Sequence, residues 1–169
     1  LAAKGLMYWL DDVPLEQDWN RLIRQSVLST TRILDGMPLP WIGIRGIQHL
    51  AGQIDKLDPA QSKYNRLYLT HIVRMQEEIG TGGAGFRFMY ASFLQEAGEK
   101  LGDNNLQEAS AQLTAIGDNW RQFASACVRA SRNKGETPNF APIADSLRSI
   151  ALQERGLMKE LAAWSKRKG

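Results

Sequence analysis

The chain has 169 residues, the size of one domain that buries a core without disulfides or metal staples. Hydrophobic residues at 43% and charged residues at 23% are ordinary for a globular protein, and the apolar stretch 6–10 runs into Asp11-Asp12, far short of a bilayer crossing, so neither disorder nor a membrane span is expected. The net charge of +3 sits at one end: with Lys166, Arg167 and Lys168 set aside, 18 basic residues face 18 acidic ones, which speaks against a nucleic-acid surface.

Apolar residues recur at helical spacing almost throughout and period-two alternation is scarce, which predicts a single all-α domain of about six helices in an irregular bundle. A first helix is expected over 15–34, with Pro14 at its entrance and Trp19, Leu22, Ile23, Val27 and Leu34 near one face. The run Asp35-Gly36-Met37-Pro38-Leu39-Pro40 stops it. A shorter helix over 42–56 turns Ile44, Ile47, Leu50, Ala51 and Ile54 inward. In a third, Tyr64, Leu67, Tyr68, His71, Ile72, Met75 and Ile79 step by three and four residues, and Gly80 is placed to cap it. A fourth helix starts at 84–86 and carries Phe86, Met89, Tyr90, Phe93, Leu94, Ala97 and Leu101. Asp103 to Asn105 offer a cap for a long fifth helix with Leu106, Ala109, Leu113, Ile116, Trp120, Phe123 and Cys127 on one face. After a polar loop at 132–139, a last helix over 142–166 presents Ile143, Leu147, Ile150, Ala151, Leu157, Leu161 and Trp164.

Between the third and fourth helices lies Gly80-Thr81-Gly82-Gly83-Ala84-Gly85, followed by Phe86-Arg87. It has the G-x-G-x-x-G spacing of dinucleotide sites, but that fingerprint works where a strand delivers the chain to a helix N-terminus. Here a helix ending in Glu77-Glu78 precedes it, and no G-K-[ST] follows. No nucleotide and no other cofactor is therefore expected. Four glycines exceed what a helix cap requires, which favours close approach of a ligand or another backbone, with Arg87 as an anion partner or as the mate of Glu77 or Glu78.

Catalytic candidates are sparse. Cys127, the one cysteine, stands on an apolar helix face, the setting of an inert buried thiol, and favours a reducing cytoplasm. His71 falls on the apolar stripe of the third helix as a core histidine, whereas His49 reads as a surface residue; two isolated histidines make no metal site. Glu77 and Glu78 point about 100° apart on a helix and do not act on one atom. The tryptophans Trp9, Trp19, Trp41, Trp120 and Trp164 read as core or interface anchors.

The glycine stretch, with Tyr90, Phe93-Leu94 and Glu96-Ala97 behind it, resembles the C-terminal half of the butirosin-biosynthesis protein H family. Gly43-Ile44-Arg45-Gly46-Ile47 with Leu50-Ala51, and Ile116-Gly117-Asp118-Asn119-Trp120-Arg121 with Phe123-Ala124, agree with it in the same order. The resemblance implies a helical domain that follows a papain-like domain holding a Cys and a His, in proteins that transfer an acyl group from a carrier-protein thioester to an amine. On that reading the chain is the C-terminal half of a longer protein and holds no catalytic residue. Gly82, Gly83, Gly85, Phe86, Arg87 and Tyr90 would line the substrate cleft, and the partners are the papain-like domain and an acyl carrier protein. The alternative is a non-catalytic helical interaction module, for which apolar faces left uncovered favour pairing of two copies as a homodimer.

Overall fold

The computed structural model describes residue 9 and residues 18–79, 82–132 and 138–167. Six α-helices account for most of them: α1 (Trp19–Asp35), α2 (Gly43–Ile54), α3 (Ser62–Val73), α4 (Arg87–Leu101), α5 (Asn104–Arg132) and α6 (Ala141–Lys166). The fold is the expected single all-α domain. The expected roles of Pro14 and of Gly80 as a cap fall on residues outside the described ones.

The two longest helices form the spine. α5 packs against α3, α4 and α6, and α6 packs against α1, α2 and α5. Their apolar faces are those the spacing predicts, from Leu106 through Trp120 to Cys127 on α5 and from Ile143 through Leu147 to Trp164 on α6, all buried. α4 and α5 form an antiparallel hairpin turned by Gly102 in left-handed backbone (φ 63°), with Asp103 capping α5 through its Oδ1, which accepts from the Asn105 backbone N–H at 2.9 Å. The other carboxylate oxygen of Asp103 accepts from Trp164 Nε1 at 2.7 Å. Burial opposes the charge on Asp103, but hydrogen bonds from Trp164, Asn105 and Leu106 outweigh it and hold the carboxyl below its usual range. Arg24 of α1 closes the same corner, donating to the Trp164 carbonyl at 2.7 Å while lying 4.5 Å from the centre of the Trp164 ring.

α1 begins under Asp18, whose side chain accepts from the Arg21 N–H at 3.0 Å. α2 starts at Gly43 with φ 58°, where a Cβ would stand 2.1 Å from the Leu34 carbonyl oxygen, so the chain turns back against the end of α1 only with glycine there. Ile44, Ile47, Ala51 and Ile54 are buried as predicted, with Leu50 half-buried.

The third helix differs. Its buried residues are Asn65 and Leu69, and Gln76 beyond it, with Tyr68, Ile72 and Val73 half-buried against the core, whereas Tyr64, Leu67, Met75 and Ile79 are exposed. His71 is exposed too, not a core histidine. Of the predicted stripe, Tyr68 and Ile72 turn toward the core, joined there by Leu69 and Val73, which the spacing does not pick out, and this flank faces α5. Trp19 likewise stands at the surface with Lys100 Nζ 4.0 Å from its ring centre, and Trp9 and Trp41 are exposed, so Trp120 and Trp164 are the buried tryptophans among the five. α4 buries Ala91, Leu94, Ala97 and Gly98 and leaves Phe86 and Met89 outside.

A left-handed turn tied to a buried ion pair

α3 does not run straight into the glycine stretch. Residues Arg74–Glu78 widen into a π-helical turn, closed by the Ile79 N–H on the Arg74 carbonyl at 3.1 Å. The widening carries Gln76 to α5, where its Nε2 donates to the Trp120 carbonyl at 3.0 Å and to Glu77 Oε1 at 2.9 Å. Glu77 Oε1 in turn accepts from the Ala84 backbone N–H at 3.1 Å. The backbone amide at the centre of the expected anion site thus already holds an anion, the chain's own carboxylate.

From Gly82 to Phe86 every residue has positive φ: 67°, 87°, 49°, 54° and 71°. Glycine adopts this backbone without penalty, but Ala84 and Phe86 do not; a left-handed non-glycine residue costs on the order of 1–2 kcal/mol. Ala84 is buried and Phe86 is 51% exposed. The short 3-10 turn Ala84–Phe86 then delivers the chain to α4, with the Arg87 N–H on the Ala84 carbonyl.

Arg87 pairs with neither Glu77 nor Glu78. It reaches Glu154 of α6, Nε to Oε1 at 2.8 Å and Nη2 to Oε2 at 3.1 Å, and Nη1 donates to the Gly85 carbonyl at 2.9 Å. Glu154 is 2% exposed and also accepts from Trp120 Nε1 at 2.7 Å. The guanidinium lies 4.8 Å from the centre of the Trp120 ring. Its polar contacts therefore secure the turn to the core from within. A Cβ at Gly85 would stand 2.7 Å from Arg87 Nη1, so glycine there also makes room for the guanidinium.

Of the residues predicted to line a cleft, Gly82, Gly83, Gly85, Phe86 and Arg87 come together, with Gly82 and Phe86 at the surface and Gly83 buried. Tyr90 faces elsewhere. Its hydroxyl oxygen is buried without a hydrogen bond, and its ring stacks on Phe93 at 5.9 Å. Burial pushes the Tyr90 phenol up to about 12; the Thr30 hydroxyl bears on it in the opposite sense, but it is donated to the Ser26 carbonyl at 3.0 Å.

Two of the three stretches that carry the family resemblance meet here. Trp120 holds Glu154 beside Arg87, and Arg121 lies 3.9 Å from Glu77 Oε2 and 5.2 Å from the Phe88 ring centre. Gly117 lets the Phe88 ring lie against α5, since a Cβ would meet it at 2.7 Å. Beside the turn runs a groove of about 480 Å³ between the π turn and α5, lined by Val73, Glu77, Arg121, Ser125, Val128 and Arg129 among others. Arg121 is 60% exposed along it. Spacing alone does not reveal this groove, because its two walls are 44 residues apart, joined by Gln76 on Trp120.

Cys127 is a free, buried thiol that burial pushes up to about 12, the state of an unreactive side chain. Among the described residues no three His, Cys, Asp or Glu side chains are grouped to hold a metal ion, and no helix is long and apolar enough to cross a membrane.

These features define a helical domain whose distinctive element is a strained turn anchored on a buried Arg–Glu–Trp set. The chain belongs to the family described as Domain of unknown function (DUF4872), whose model matches residues 1–161. No curated protein and no solved structure matches it.

Proposed function

We propose that this domain is the cleft-forming, non-catalytic half of a cysteine-dependent acyltransferase resembling the butirosin-biosynthesis protein H family, acting in the cytoplasm on a carrier-protein thioester and an amine. The observation that carries the reading is the left-handed run from Gly82 to Phe86. Chain reversal needs one or two left-handed residues, not five, and strain of this kind persists where the surroundings over-determine it. Here Glu77 holds one side of the turn and the Arg87–Glu154 pair the other. What the turn presents outward is the Phe86 ring and the Gly82 backbone, with Arg121 at the mouth of the adjoining groove.

The division of labour follows. Phe86 and the groove wall pack against the acyl chain or the carrier's pantetheine arm, while Arg121 meets the arm's phosphate. Nucleophile and base come from the papain-like domain, since Cys127 is sealed in the core. Arg87 positions the turn and does not touch substrate.

The test is amine acylation from a carrier-protein thioester by the complete protein. Phe86→Ala and Arg121→Ala are expected to lower kcat/KM by about tenfold or more, a loss of about 1.4 kcal/mol of transition-state binding, without moving the melting temperature. Wild-type acylation by both variants, or full activity of the papain-like domain alone, would overturn the reading. The helical interaction module stays the second reading, favoured by the exposed apolar stripe of α3.

A further inference from the structure

The stripe that α3 turns outward has an internal symmetry. Tyr64 (55% exposed), Leu67 (59%) and Met75 (49%) follow one another along the helix and its π turn, with exposed His71 between them. Leu67 and Met75 each lie four residues from His71, and Tyr64 and Glu78 each lie seven. Two half-exposed aliphatic side chains and a tyrosine in one row are more than isolated surface hydrophobes, which are ordinary when scattered singly.

The charges at its ends are of opposite sign. Lys63 precedes the stripe and Glu78 follows it, both exposed, and neither is in a salt bridge with another described residue. We infer that this face is a two-fold interface on which a second copy of the chain docks, α3 antiparallel to α3 with His71 at the axis. That arrangement packs Leu67 against Met75 of the partner subunit, twice by symmetry, as an isologous interface requires. It also sets Glu78 opposite Tyr64 of the partner subunit at both ends, with Lys63 of the partner subunit, the residue next to that tyrosine, within reach of Glu78. A parallel pairing would set Lys63 against Lys63 and Glu78 against Glu78, like charge on like. Antiparallel helices pack with axes about 8–10 Å apart, close enough for the two copies of residue 71 to face one another. The inference is independent of the acyl-transfer reading.

Light scattering on the full chain at tens of micromolar is expected to give twice the 18.9 kDa of one copy. Leu67→Glu, at an exposed position, is expected to give a monomer with unchanged circular dichroism and melting temperature. Lys63→Glu is expected to weaken association several-fold at low salt, and Lys63→Glu with Glu78→Lys to restore it. His71→Cys is expected to give a disulfide-linked dimer on mild oxidation while Thr70→Cys, exposed one residue off the stripe, does not; native Cys127 is buried and does not interfere. A monomer at these concentrations overturns the inference. So do a dimer that Leu67→Glu leaves intact, a charge swap that fails to restore association, and equal cross-linking through either introduced cysteine.

Discussion

Replacing Arg87 with alanine strips the buried Glu154 carboxylate of both guanidinium hydrogen bonds and leaves it only Trp120 Nε1, at 2.7 Å. Breaking a fully buried ion pair from one side costs about 3–5 kcal/mol, because the remaining charge stays desolvated. Arg87 keeps 22% of its side chain exposed, so water reaches the vacated space and the cost falls toward the lower end. The cation–π contact with Trp120 and the bond to the Gly85 carbonyl are lost as well. Roughly 3 kcal/mol is the expected destabilisation in urea unfolding, and a domain of this size melts about 6–12 °C lower for that loss. Removing the charge from both sides with side chains of similar volume, Arg87→Met with Glu154→Gln, keeps an acceptor for Trp120 Nε1 and should recover part of it, since no uncompensated charge is left buried. Two results would refute the reasoning: an Arg87→Ala protein within 1 kcal/mol of wild type, or a double variant worse than the sum of the singles. The experiment also bears on function. Activity lost in Arg87→Ala together with stability reports a displaced turn and not a missing substrate contact.

Phe86→Gly removes left-handed strain of on the order of 1 kcal/mol but adds unfolded-state entropy of similar size, so urea unfolding should find stability within about 1 kcal/mol of wild type while the acylation attributed to Phe86 falls. Gly117→Ala drives a methyl into the Phe88 ring at 2.7 Å; overpacking of this kind costs about 1–3 kcal/mol, and Phe88→Leu in the same chain should return part of it in thermal unfolding. Cys127 should resist a thiol-specific chromogenic reagent at pH 8 in the folded protein and react with one equivalent in denaturant. Alkaline stability provides a further test. Cys127 and Tyr90 are both pushed up to about 12, against unfolded values of about 8.5 and about 10. The folded state binds the extra protons between those limits, so stability is intact below pH 8.5 and declines as pH climbs toward 12. Tyr90→Phe should flatten the part of the decline above pH 10, and at neutral pH it should cost nothing, because the hydroxyl it removes makes no hydrogen bond.

The spine was legible in the sequence. Leu106 to Cys127 and Ile143 to Trp164 each carry one apolar face backed by polar residues, and such a helix has only one way to turn inward. α3 was not, because it has apolar residues on two flanks. The stripe that periodicity picks out is split: Tyr68 and Ile72 join Leu69 and Val73 on the flank that meets α5, while Tyr64, Leu67, His71, Met75 and Ile79 stay outside. The helix-to-helix nature of the glycine turn was equally plain from Glu77-Glu78 before it. Its anchoring was not, since Glu154 stands 67 residues from Arg87 on another helix and reads in sequence as one more surface acid. The π turn that sends Gln76 and Glu77 to their partners has no spacing signature of its own either.

Handedness gives the turn a consequence of another sort. Between Gly82 and Phe86 the backbone winds with the torsion signs natural to D-amino acids, inside a protein made of L-residues. At Gly82 an added Cβ of ordinary chirality meets no atom within 4 Å, so what excludes alanine there is stereochemistry and not space. Drift at that position has little beyond asparagine and aspartate to move to, however exposed the site is. A chemist assembling the chain by ligation has an option that the genetic code lacks. D-alanine at Gly82 matches the observed φ and restricts the unfolded chain, and should stabilise the domain by about 0.4–1 kcal/mol.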